Sequence, residues 1–104
     1  MSTITGETTD IEILRELGKR LRSYRLQQNL SVADVATRAG VNPNTVVNVE
    51  AGRNARLMTI VRLLRVYGRI EAVNAFLPPP QVSPLQLVRE RGRPRQRART
   101  RKDG

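Results

Sequence analysis

Residues 31–52 confine this chain more tightly than any other stretch, because helix-start and helix-stop signals follow one another twice within a short space. Ser31 and Asp34 have the spacing of a capping box, in which each side chain bonds the other residue's backbone N–H. Gly40 then suits the left-handed conformation that ends a helix, leaving room for about eight helical residues. Asn42 and Pro43 open a second short helix, with Asn as cap and Pro at the first position, where its missing N–H costs nothing. Gly52 closes it. Val35, Ala36 and Ala39 face inward on the first helix, and Val46 and Val49 on the second. Two such short helices cannot bury these faces alone and need further helices around them.

The flanking segments supply them. Thr9 and Glu12 form another capping box, and Leu14, Leu17, Leu21 and Tyr24 recur at helical spacing, predicting a helix that ends near Gln28 or Asn29. Arg15, Lys19, Arg20 and Arg22 fall off this stripe and read as a solvated face. Leu57, Ile60, Val61, Leu64 and Tyr67 predict a fourth amphipathic helix, stopped by Gly68. Ile70, Val73, Phe76 and Leu77 predict a short fifth, ended by the stiff, extended run Pro78, Pro79 and Pro80. Ser83 and Pro84 suit the start of one further turn through Leu87. Neither a strand pattern nor an internal repeat is present. The expected fold class is all-α: a five-helix domain over residues 10–77, preceded by an arm at 1–9 and followed by a Pro-rich linker at 78–88 and a basic tail at 89–104.

Charge indicates the kind of partner. Nineteen Lys and Arg oppose nine Asp and Glu, for a net +10, and residues 89–104 alone contribute +6. Clustered arginine is rewarded by counterion release from nucleic acid, so a polyanion is expected. A membrane partner is not: no basic amphipathic helix carries a Trp or Phe face, and no apolar run nears about 18 residues. With neither a basic n-region nor an h-region at the N-terminus, the expected location is cytoplasmic and nucleoid-associated. Cysteine and histidine are absent, which removes thiol chemistry, disulfides, most zinc sites and the commonest general base. The acidic residues form no convincing pair. No enzyme, cofactor or metal is expected.

A short helix, a Gly-containing turn and a second helix opened by Asn-Pro are what a DNA-reading helix pair requires. The exposed positions of the second helix are Asn42, Pro43, Asn44, Thr45, Val47 and Asn48. Asn can bond an adenine edge bidentately, and Thr or Pro can touch a thymine methyl. Asn42 reads as a cap with a phosphate contact. Asn44 and Asn48 read as base contacts, against the alternative of plain solvated surface.

Residues 17–68 resemble the Xre family of helix-turn-helix domains, the lambda-repressor and Cro type. The resemblance rests on Leu21 and Arg25, Leu30 and Ser31, Val35 and Ala36, Ala39, Gly40 and Val41, Val46, Val49 and Glu50, Gly52, and residues 57–68. It implies a five-helix homodimer on a palindromic operator with the third helix in the major groove. By position it puts base reading on Pro43, Asn44, Val47 and Asn48, and phosphate contacts near Ser31, Val32, Asn42, Arg53 and Asn54. The family often has Gln where this chain has Val32, so that contact is lost or made differently. The resemblance further implies a partly buried ion pair between Arg25 and Glu50 that ties the first helix to the end of the third. Ile70, Val73, Phe76 and Leu77 are candidates for the dimer face, with ordinary core capping as the alternative.

In the tail, Arg91, Gly92, Arg93, Pro94 and Arg95, continued by Arg97, resemble an AT-hook core. Pro94 disfavours helix at Arg93 and Gly92 allows close backbone approach, so the segment suits a narrow, A·T-rich minor groove. Generic phosphate binding is the competing reading. The expectation is a DNA-binding transcriptional regulator, a repressor. The alternatives are an antitoxin of the HipB sort, binding a toxin through the semi-apolar residues 81–88, and an RNA-binding module.

Overall fold

The computed structural model describes residues 3–85 and 88–89, and among these the chain is all-helical. Helix α1 spans Asp10–Gln27, α2 Val32–Ala39, α3 Pro43–Glu50 and α4 Leu57–Val66. A 3₁₀ turn, Ile70–Ala72, runs directly into the single α-turn α5, Val73–Phe76. The fifth helix of the sequence reading is therefore this composite, four α-helical residues long. Pro84 and Leu85 also have helical backbone.

The helix starts are made by the side chains that the spacing singles out. Thr9 Oγ1 accepts from the Glu12 N–H at 3.2 Å, and the Thr9 N–H donates to Glu12 Oε1 at 2.9 Å. Ser31 and Asp34 make the same reciprocal pair, both bonds at 3.0 Å. These bonds to the ionised form hold the Glu12 and Asp34 carboxyls below their ordinary ranges. Gly40 ends α2 in the left-handed conformation, φ 70°.

Leu21, Val35, Ala36, Ala39, Val46, Val49, Leu63 and Tyr67 form one core, with Val35, Val46 and Leu63 fully buried at its centre. Helix α2 packs on both α3 and α4, while α1 packs on α3. Two inward stripes differ from the sequence reading. On α1, Leu17 is 40% exposed, and the buried positions are Glu16, Gly18, Leu21 and Arg25. An acid, a glycine and an arginine hide this face from a hydrophobic count. Glu16 is satisfied by Arg20, Nε to Oε2 at 3.0 Å, so Arg20 is not simply part of a solvated face. On α4, Leu57 is 71% exposed at the first turn, and the inward line runs through Thr59, Leu63 and Tyr67.

Gly18 explains the register of α1. A Cβ built there would lie 2.5 Å from the Val49 carbonyl oxygen and 2.7 Å from that of Glu50. The backbone of α1 thus runs directly against the last carbonyls of α3. Gly52 adds the second half of the contact: its φ is 85°, and a Cβ there would meet Arg15 Cα at 2.7 Å. We expect Gly18→Ala to destabilise the fold by about 1–3 kcal/mol through overpacking, despite alanine's better helix propensity. A lower denaturant midpoint checks this, and an unchanged or higher one refutes the close approach.

Candidate nucleic-acid interface

Helix α3 turns Val46 and Val49 into the core and keeps Pro43, Asn44 and Val47 in solvent, with Thr45 and Asn48 half-buried at its edge. Its start is set by Asn42, whose Oδ1 accepts from the Asn44 N–H at 2.8 Å, and by Pro43 in the first turn. Asn42 is thus a cap in fact, and what its side chain has left to offer a phosphate is its Nδ2 donors. Ser31 sits exposed at the start of α2 with its Oγ accepting from Asp34, leaving the hydroxyl proton free to donate outward. Val32 is half-buried and packs against the core, so this position makes an apolar contact and offers no side-chain donor to a phosphate.

Beside α3 lies an open groove of about 600 Å³, lined by Asn42, Thr45, Asn48, Asn54, Arg56 and Arg62 among others. It gathers polar residues from the helix and from the loop that follows it. Arg56 and Arg62 were not among the sequence-derived candidates. Arg56 precedes α4 and Arg62 lies on it, where Nη1 donates to the Gly40 carbonyl at 3.4 Å. Their place just after the second short helix, on either side of the apolar residues Leu57, Met58, Ile60 and Val61, was the available signal. Arg53, exposed just past Gly52, donates from Nη1 to Asn48 Oδ1 at 2.8 Å. The groove therefore carries cations and amides, with no acidic side chain in its lining.

The support beneath α3 is electrostatic as well as apolar. Arg25 Nε donates to Glu50 Oε2 at 2.7 Å and Nη2 to Oε1 at 2.9 Å, a two-pronged pair with side chains only 10% and 8% exposed. The third nitrogen, Nη1, donates to the Leu30 carbonyl at 3.1 Å, tying the α1–α2 connection into the same site. The bond to Glu50 pushes the Arg25 pKa up further. Close by, burial pushes the Tyr67 phenol up to about 12, and its OH has no hydrogen-bond partner. Tyr67 is held by its ring, 6.2 Å from that of Tyr24, while Arg69 sits 5.0 Å over the Tyr24 ring. Gln28 Nε2 donates to the Tyr67 carbonyl at 2.9 Å, joining the end of α1 to the end of α4.

Away from this site, Val73, Phe76 and Leu77 project from the surface, with Phe76 71% and Leu77 72% exposed, and Ile70 is half-buried. The first three do not cap the core. The AT-hook-like residues Arg91, Gly92, Arg93, Pro94, Arg95 and Arg97 lie outside the described residues. Among those described, no group of His, Cys, Asp and Glu is placed to hold a metal ion, and no helix is long and apolar enough to cross a membrane.

A family model for the helix-turn-helix domain matches residues 16–75, more than half of the chain and all of the helices from the middle of α1 to α5. The chain belongs to this family, a class of DNA-binding regulators. No curated protein shows a significant match to it.

Removing one member of the buried pair strands the other. Arg25→Ala should cost about 3 kcal/mol or more and lower the melting temperature clearly. Tyr67→Phe, which deletes an unpartnered hydroxyl, should be neutral or stabilising by up to about 1 kcal/mol. Thermal melts of the two variants in parallel check both signs.

Proposed function

We propose that this protein is a sequence-specific transcriptional repressor of the Xre type that binds its operator as a homodimer. The single observation that carries the reading is the placement of α3. Its inward valines and the Arg25–Glu50 pair fix the helix, while Pro43, Asn44 and Val47 stand on the outer surface and Asn48 lines the cation-bearing groove beside them. In that arrangement Asn44, Thr45 and Asn48 read base edges, and Pro43 and Val47 contact thymine methyls. Ser31, Asn42, Arg53 and Asn54 bind flanking phosphates, joined by Arg56 and Arg62.

Dimerisation is supported by the exposed apolar surface of Val73, Phe76 and Leu77 on α5, which a second copy would cover. A two-fold dimer then calls for a palindromic operator. The tail, at net +6, contributes salt-dependent affinity, with its Gly-Arg-Pro core suited to an A·T-rich minor groove beside the half-site. One observation favours a second reading, an antitoxin that also holds a partner protein: Val82, Leu85 and Val88, beyond the proline run, are exposed apolar residues as well.

Selection of bound duplexes from random DNA tests the proposal. The native chain is expected to return two inverted half-sites with an A·T-rich flank. A chain ending at Val88 is expected to return the same half-sites without the flank. Its log affinity should fall less steeply with log salt, by about five units if six arginines each neutralise a phosphate. Equal slopes would remove the tail from DNA binding, and absence of any enriched sequence would refute the reading as a whole.

A further inference from the structure

Asn48 and Arg53 are joined twice. The Arg53 N–H donates to the Asn48 carbonyl at 3.0 Å, folding the chain back after Gly52, and Arg53 Nη1 donates to Asn48 Oδ1 at 2.8 Å. The second bond settles which way the amide points. A guanidinium carries only N–H donors, so the Asn48 atom facing it must be the oxygen. The amide nitrogen is left on the other side with two free donors. Arg53 itself is exposed and keeps further N–H groups beyond the one spent on Asn48.

An asparagine reads adenine by donating to N7 while accepting from the N6 amino group. Here the accepting oxygen already holds a charged donor, and an adenine amino group would approach it beside a guanidinium that also presents only hydrogens. Guanine has the opposite character. Its major-groove edge offers N7 and O6, both acceptors. With the amide oxygen between them engaged, the Asn48 amide N–H and the remaining Arg53 N–H groups can offer only donors, the character that this edge requires.

Resting on the proposal that α3 reads the major groove, we infer that Arg53 determines specificity: by holding Oδ1 of Asn48 it makes the pair a reader of guanine. Arg53 is then a positioning residue for Asn48 as well as a cation near the phosphates. These roles differ in what they do to sequence preference, because a phosphate contact strengthens binding to all sequences alike.

The test compares bound-sequence profiles for the full-length native chain, Asn48→Ala and Arg53→Ala, with circular dichroism to verify that each variant is folded. Asn48→Ala is expected to flatten the preference at one base pair per half-site, which marks the position that Asn48 reads. At that position the native chain should select guanine. Arg53→Ala should move the preference to adenine, since the adenine amino group can then approach the amide oxygen with no guanidinium beside it, with a change in guanine-to-adenine discrimination of at least about fivefold. A native preference for any other base, or an Arg53→Ala profile that keeps guanine while affinity falls evenly, overturns the inference. If Asn48→Ala flattens no position, Asn48 reads no base and the inference also fails. Failure of the native chain to enrich any sequence refutes the major-groove reading itself, a separate result from these.

Discussion

The close passage of α1 across the end of α3 is the constraint from which the rest of the architecture follows. Gly18 lets the α1 backbone come against the Val49 and Glu50 carbonyls, and Gly52 brings the next turn of chain against Arg15. Once the two backbones are that near, Arg25 reaches Glu50 with two nitrogens and Leu30 with the third. A longer approach would weaken both bonds to the carboxylate. Small residues therefore set the distance, and a charged pair fixes the rotation of one helix about the other. Together they hold the outer surface of α3 at a defined angle to the remainder of the domain, which any reading of base edges needs.

Burying this pair has an energetic logic of its own. An arginine and a glutamate taken from water are costly, and their attraction repays that cost only with good geometry and further bonds. Here the bidentate contact and the Leu30 carbonyl provide them. The unpartnered Tyr67 hydroxyl nearby is a small residual cost at the same seam, tolerated because the ring packs against Tyr24. Apolar side chains of similar volume would hold the helices together, but would not select one rotation as sharply.

Much of the fold was legible because it depends on local signals. The caps at Thr9, Ser31 and Asn42, the left-handed Gly40, and the proline after Asn42 are each decided within three or four residues. What was not legible depends on partners distant in the chain. Leu17 and Leu57 have the character of core residues yet stand in solvent, because the faces that meet α3 and α2 are set by Gly18, Arg25, Thr59 and Leu63. Gln28 reaching the Tyr67 carbonyl, and Arg53 reaching Asn48, are bonds that side-chain type alone does not announce. The candidate interface was readable as a list of exposed polar residues on α3. Its state, with one amide oxygen already occupied, was not.

Helix α3 has a further consequence in its own composition. Its eight residues include three valines, a threonine and two asparagines, all weak helix formers, in a segment too short to stand by itself. The surface that α3 presents is thus not a property of the segment but of the assembled domain, which lends it a conformation it would not otherwise hold. On the proposed reading, DNA binding and fold are thermodynamically linked: DNA that binds the docked helix and not the loosened one acts as a stabilising ligand for the whole domain. Bound DNA would then protect the protein from unfolding and from proteolysis, so the lifetime of the chain in the cell would depend on how often it is bound.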